Sequence, residues 1–192
     1  EEKKNIVEYV EKYIEEKNKI VLVNDISNSK EFEDMGAISY TEKTRAVIKV
    51  QDGCNQFCTY CIIPYARGRI RSRKIESVIE EVKKIAEKGI KEVGITGIHI
   101  ASYGKDSDNN IGLIDLLEEI NKVDGIQRIR IGSLEPKIIT EEFMQRLIKL
   151  PKICHHFHLS LQSGCDETLR RMNRKYNTLE FKEIVNRLRK YY

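Results

Sequence analysis

Apolar residues recur along this chain in two alternating rhythms: a helical spacing near 3.6, and short apolar or alternating runs of strand length. Residues 4–16 carry Ile6, Val7, Val10, Tyr13 and Ile14 at helical spacing, and KIVLV (19–23) reads as a short buried strand. From Asn24 to Thr44 no period survives, and the polar run reads as a linker. The rhythm resumes with a strand at 45–51 (RAVIKVQ) and a helix at 75–88. Strand 92–96, helix 112–122, strand 128–132, helix 140–150 and strand 156–162 follow, and two further helices cover 166–172 and 179–192. Strands alternating with helices predict right-handed βαβ units on a parallel sheet. Four such units are too few to close a barrel. The expected fold is therefore α/β, a partial (βα) barrel over residues 41–192 that is incomplete at its C-terminal end. Residues 1–40 are expected to be the tail of a preceding domain plus linker.

In parallel βα folds the working residues gather on the loops that follow the strands. Here those loops begin at Gly53, at Thr96-Gly97, at Gly132-Ser133 and at Gln162-Ser163-Gly164. The fourth strand alternates Phe157, Leu159 and Leu161 with His156, His158, Ser160 and Gln162. Parallel strands are normally apolar on both faces, so the polar set is expected to line a wet, ligand-holding interior. Glu135, just before Pro136, reads equally as a ligand contact or as a cap for the next segment.

Composition narrows the class. A third of the 192 residues are charged, there is no tryptophan, and the net charge is +4, too small by itself to require a nucleic-acid partner. No apolar run approaches the roughly 18 residues of a membrane span. The first residues, EEKKNIVEYV, lack a signal-peptide pattern, so a cytoplasmic location is expected. Of five cysteines, three lie on one short loop, which argues against a secreted disulfide framework.

Those three, Cys54, Cys58 and Cys61, form a CxxxCxxC array. Three thiolates on one loop can hold three irons of a [4Fe–4S] cube and leave the fourth open. Cys58 and Cys61 alone would suit a dithiol redox pair, but that leaves Cys54 without a role. A zinc site completed by Cys154, Cys165 or a histidine is the other alternative, although its commoner form needs a second CxxC, which the chain lacks. Otherwise Cys154 and Cys165 read as incidental thiols. Directly after the array, Arg67, Arg69, Arg71 and Arg73 alternate ahead of Lys74. In an extended segment their guanidiniums would share one side, suited to phosphate or carboxylate contact, or simply to water. Tyr65 and Tyr103 could stack on a nucleobase or pack in the fold.

The stretch DGCNQFCTYCIIPYARGRIRSRK, with Tyr60 as the aromatic of a CxxxCx(aromatic)C pattern, resembles the signature of the radical S-adenosylmethionine (SAM) superfamily. Together with TGIHIASYG, RIRIGSLEP and HLSLQSGCDETLRRMNRKY it resembles the radical SAM methylthiotransferases. The likeness is nearest to the MtaB-like branch, which methylthiolates C2 of N6-threonylcarbamoyladenosine in tRNA. Sister branches act on isopentenyladenosine in tRNA or on a ribosomal protein; a different class altogether would be a metal-bearing RNA-binding module without catalysis.

The resemblance implies a [4Fe–4S] cluster on Cys54, Cys58 and Cys61 that chelates SAM and cleaves it to a 5′-deoxyadenosyl radical. It further implies SAM contacts from Tyr60, Thr96, Gly97, Ser133, Glu135, Gln162 and Ser163, and tRNA contacts from Arg67, Arg69, Arg71 and Arg73. The family's Gly-Gly-Glu form is absent at Thr96-Gly97. Further implications are an electron donor such as flavodoxin or ferredoxin, a second [4Fe–4S] cluster in a preceding domain, and a C-terminal RNA-binding TRAM domain.

Overall fold

A computed structural model describes residues 5–23, 25–34 and 44–192. The expected domain boundary at residue 40 lies outside the described residues. Four strands form one sheet in the order β2-β1-β3-β4, with β1 at Arg45–Asp52, β2 at Arg71–Ser72, β3 at Glu92–Gly97 and β4 at Arg128–Ile131. The β1–β3 and β3–β4 pairs are parallel, with Arg45 opposite Glu92 and Glu92 opposite Arg128, as the βα rhythm requires. β2, which the pattern did not show, follows a short helix α2 (Ile63–Ala66), runs antiparallel to β1 and places Asp52 opposite Arg71.

One face of the sheet is dry. Ala46, Ile48 and Val50 of β1, Val93 and Ile95 of β3, and Ile129 and Ile131 of β4 are all buried. Against them pack the apolar stripes of helices α3 (Ile75–Glu87), α4 (Leu113–Lys122) and α5 (Glu141–Leu147), led by Val78, Val82, Leu116, Leu117, Met144 and Leu147. The other face is open: Val47 is 54% exposed. There the buried Glu92 gathers Arg128 at 2.8 Å and Arg130 at 3.2 Å. A complete barrel would enclose this face as its lumen.

The segment expected as a fourth strand is not one. It touches the sheet only at two parallel bridges, Ile129 to Ile153 and Leu134 to Leu159. Local bonds such as Leu161 N–H to the Leu159 carbonyl and Ser163 N–H to the Leu161 carbonyl use the donors that a ladder would need. His156 and His158 are exposed rather than lining an interior. Helices α6 (Asp166–Arg171) and α7 (Thr178–Arg189) follow, the second opened by an Asn177–Glu180 capping box.

Upstream, α1 (Ile6–Glu16) forms as its periodicity predicts, but none of its residues is buried. The KIVLV segment has no regular structure, and Val21, Leu22 and Val23 are exposed, so the expectation of a buried strand there is corrected. The described part of the linker docks on the core. Asp34 pairs with Arg73 at 2.8 Å and Phe32 lies under the Lys49 ammonium at 5.8 Å. Among the described residues no helix is long and apolar enough to cross a membrane.

Candidate functional site

The C-terminal end of β1 turns directly into the cysteine loop, and the turn has little freedom. Gly53 has φ +70°, and a Cβ there would sit 1.8 Å from the Arg69 carbonyl oxygen. Glycine is obligatory because the loop must double back on the arginine segment. The Cys54 N–H donates to the Gly68 carbonyl at 3.1 Å and closes that return. Beside it, Asp52 accepts from the Gly53 N–H at 2.8 Å, from Lys49 at 2.6 Å and from Arg67 Nε and Nη2. Burial alone would raise the Asp52 pKa; the bonds from Arg67 and Lys49 outweigh it and hold the carboxyl at about 2.

Gln51 ties the first loop to the second. Completely buried, it donates to the Asp52 and Gly53 carbonyls, each at 2.7 Å, and accepts the His99 N–H at 2.6 Å. The second loop approaches so closely that a Cβ on Gly97 would lie 2.8 Å from the Gln51 carbonyl oxygen. Gly97 is thus required by backbone packing. His99 contributes an imidazole whose Nδ1 meets Ser102 Oγ at 2.6 Å and whose Nε2 is buried without a hydrogen-bond partner. Burial lowers its pKa to about 4, helped by Lys105 and Arg174, so the ring is neutral near pH 7. A buried polar atom left unpaired is a place where a bound ligand can be accommodated.

The third loop brings Ser133, whose Oγ is 2.7 Å from His158 Nδ1, and Glu135, which caps the next turn by accepting the Lys137 N–H at 3.1 Å. Glu135 is also half-buried, and desolvation raises its pKa against the pull of Arg174, Lys137 and Lys105. It lines a cavity of about 470 Å³ together with Tyr103, Lys105 and Lys137. Thr96 is part-buried at the end of β3, and Tyr60 is half-exposed on the cysteine loop. Gln162 is exposed, and Ser163 accepts the Cys165 N–H at 3.2 Å.

The arginine stripe is not the continuous exposed surface that its spacing suggested. Arg71 and Arg73 are buried, Arg73 between Glu81 and Asp34 and Arg71 3.7 Å from Asp52. Arg67 is bound to Asp52. Arg69 alone of the four turns outward, its guanidinium 5.0 Å over the Phe57 ring. Tyr103 is buried and donates to the Arg73 carbonyl at 2.5 Å, which removes it as a stacking platform; Tyr65 is exposed and packs edge-on to Phe57.

The most informative residue had no role assigned from the pattern. Arg174 Nη1 donates to Cys58 Sγ at 3.3 Å, its Nε donates to Tyr176 Oη at 3.2 Å, and its guanidinium lies 5.0 Å over the Tyr176 ring. Tyr176 in turn donates to the Ser160 and Leu161 carbonyls. The signal lay in the RRMNRKY run, but nothing local in it shows that it reaches a cysteine 116 residues away.

Cys54 is buried, while Cys58 and Cys61 are part-exposed. Burial pushes the Cys54 thiol up, and the nearby Cys58 and Cys61 act on it in the same direction. Among the described residues no three His, Cys, Asp or Glu side chains converge tightly enough for a single ion. A cube asks for something else, since each thiolate binds a separate iron at its own corner. The donor set suits that group: three soft thiols, a backbone N–H from Gln56 at 3.4 Å from Cys54 Sγ, and the Arg174 cation at Cys58.

A parallel half-barrel that presents a three-cysteine loop at the C-terminal end of its first strand defines a class, and comparison with known proteins agrees. The family model described as the radical SAM superfamily matches residues 48–192, and the chain belongs to that superfamily, whose chemistry rests on a [4Fe–4S] cluster and SAM. The chain is 42% identical over 184 residues to threonylcarbamoyladenosine tRNA methylthiotransferase MtaB of Aquifex aeolicus, and 39% identical over 191 residues to that of Bacillus subtilis. It is also 40% identical over 169 residues to a tRNA-2-methylthio-N(6)-dimethylallyladenosine synthase of Thermoanaerobacter. The matches cover 96%, 99% and 88% of this chain but 44%, 42% and 36% of those relatives, so the chain spans under half their length. Among solved structures, the radical SAM methyltransferase TsrM of Kitasatospora setae superposes with a TM-score of 0.61 at 21% identity, over 76% of this chain and 29% of that one. The cobalamin-dependent radical SAM enzyme OxsB gives 0.57 at 15%, over 74% and 22%; both likenesses concern the fold.

Proposed function

We propose that this chain is the central part of a methylthiotransferase that modifies C2 of N6-threonylcarbamoyladenosine in tRNA, with Cys54, Cys58 and Cys61 as ligands of a [4Fe–4S] cluster. The observation that carries the reading is the cysteine loop itself: three thiols on one turn, two with N–H donors aimed at sulfur, at the C-terminal edge of a radical SAM half-barrel. When bound, the cluster and SAM supply one-electron chemistry that activates an unreactive C–H bond.

The chain's own residues hold that chemistry in place. Gln51 fixes the cysteine loop against the loop that carries Thr96, Gly97 and His99. His99 keeps a neutral, unpaired ring nitrogen for a bound ligand. Ser133, Glu135, Gln162, Ser163 and Tyr60 complete the proposed SAM shell, with Glu135 and Arg174 supplying opposite charges at its wall. Of the four arginines, Arg69 is the residue left to meet a tRNA phosphate.

The exposed apolar face of α1 supports assigning residues 1–40 to the tail of an N-terminal methylthiotransferase domain. The second cluster, expected in that domain, and a flavodoxin or ferredoxin donor complete the proposal. Its test is nucleoside mass analysis of tRNA from cells that lack the full-length gene. The expected result is loss of the methylthio form of N6-threonylcarbamoyladenosine with accumulation of its precursor. Loss confined to the methylthio form of dimethylallyladenosine would transfer the function to the other group of relatives.

A further inference from the structure

We infer that the end of α6 and the turn that follows it, residues 171–174, form a clasp that holds the cysteine loop in its bent form before any cluster is present, with Asn173 as its positioning residue. This rests on reading Cys58 as a cluster ligand. Phe57, immediately before Cys58, has φ +49°, a left-handed conformation that a bulky side chain adopts only when its surroundings impose it. Asn173 supplies the restraint at that point: its Nδ2 donates to the Phe57 carbonyl at 3.0 Å. Its own φ is +57°, a region that asparagine tolerates better than most residues.

The next residues of the loop are held by the same turn. The Thr59 N–H donates to the Met172 carbonyl at 3.3 Å and Thr59 Oγ1 to the Arg171 carbonyl at 2.9 Å, while Arg174 reaches Cys58 Sγ. Four bonds thus join two segments more than 110 residues apart, and they bracket Phe57, Cys58 and Thr59. Within the loop the Cys61 N–H to Cys58 carbonyl bond, at 2.9 Å, and the Gln56 N–H to Cys54 Sγ contact, at 3.4 Å, add local restraints. Strain at Phe57 without the clasp would relax by letting Cys58 swing. With it, cluster uptake is docking into a preset turn, with little loop-ordering entropy left to lose.

Hydrogen exchange of the metal-free 192-residue chain tests this, read at the Thr59 and Cys61 amides in three variants. Asn173→Gly keeps the left-handed backbone and deletes the amide; Asn173→Asp keeps the shape and replaces a donor by an acceptor. Thr140→Ala removes the cap that Thr140 Oγ1 gives to the Phe143 N–H at 3.1 Å, so it controls for general loss of stability. The expected result is exchange at Thr59 faster by about fivefold or more in both Asn173 variants, the factor that one ordinary hydrogen bond is worth. Exchange there stays unchanged in Thr140→Ala, and iron and sulfide uptake under anaerobic reconstitution slows only in the Asn173 pair. Unchanged exchange in those variants, or an equal rise in Thr140→Ala, overturns the clasp. Faster exchange with undiminished iron uptake also overturns it, because the contact then serves the fold and not the site. Full iron uptake by Cys58→Ala would instead defeat the ligand assignment on which the inference rests.

Discussion

His99 makes stability depend on pH in a way that can be worked out from its surroundings. Burial is the main reason its pKa falls from 6.5 to about 4, and the cations Lys105 and Arg174 push in the same direction. In the unfolded chain the ring returns to about 6.5. Between those values the unfolded state binds a proton that the folded state refuses. Stability from this group is therefore complete above about pH 6.5 and declines as the pH falls towards 4. At pH 5 the loss relative to pH 7 amounts to about 2 kcal/mol. Urea unfolding of the metal-free chain at both pH values, for wild type and His99→Asn, measures it. Carboxylates that also titrate contribute to both proteins and cancel in the difference of differences. The wild type should lose about 2 kcal/mol more than the variant on going from pH 7 to pH 5. Equal losses would refute the claim that this imidazole is buried and neutral.

Three further outcomes separate structural from functional residues around the cysteine loop. Gly53→Ala should cost upwards of about 3 kcal/mol in denaturant unfolding, or abolish folding, because its Cβ would meet backbone at 1.8 Å and its φ is +70°; a variant of near-wild-type stability would show that the loop does not double back on Arg69. Arg73→Met should destabilise by about 3–5 kcal/mol, since it breaks the buried ion pair with Glu81. Arg69→Glu should leave stability within about 0.5 kcal/mol and reduce the salt slope of tRNA binding by about one unit. Reversed ranks for Arg73 and Arg69 in these two assays would restore the reading of the whole segment as an RNA-facing stripe.

What the pattern could and could not reveal follows from range. Helix α3 and strands β1, β3 and β4 lie close to their expected positions because each buries one face along its whole length, so burial imprints a period on neighbouring residues. The segment around Leu159 alternates just as cleanly, yet it makes single bridges, because strand pairing needs a partner edge along the full length and period alone does not supply one. The arginine run misled for a related reason. Alternation suggests that Arg67, Arg69, Arg71 and Arg73 share a side, but Asp34, Asp52 and Glu81, up to 39 residues away, draw Arg67, Arg71 and Arg73 inward and leave Arg69 outside. The three cysteines were legible because they fall on one short loop, where spacing alone shows the array. Arg174 and Asn173 were not, because their partners lie across the sheet's edge.

These long-range bonds also explain how an open sheet can hold an ordered site. Going round the C-terminal edge, Gln51 joins the β1 loop to the β3 loop, and the Gly132 N–H joins β4 to the Ile95 carbonyl of β3 at 2.9 Å. The β4 loop is joined to the next segment by the Leu134 N–H to the His158 carbonyl at 2.8 Å and by Ser133 with His158. That segment is anchored through Ser160 and Leu161 to Tyr176, which binds Arg174, and Arg174 returns to Cys58. The strands stop after a partial turn, whereas the loops close a circuit. A break at any one tie leaves the remaining loops joined in a line, so its two ends separate and geometry is lost first between them. Removing the Gln51 bonds should therefore loosen the cysteine loop from His99 while leaving the Asn173 clasp intact, and removing Asn173 should do the converse. Two lesions in the same small loop with different exchange footprints are what a ring of local ties predicts and what a single rigid core does not.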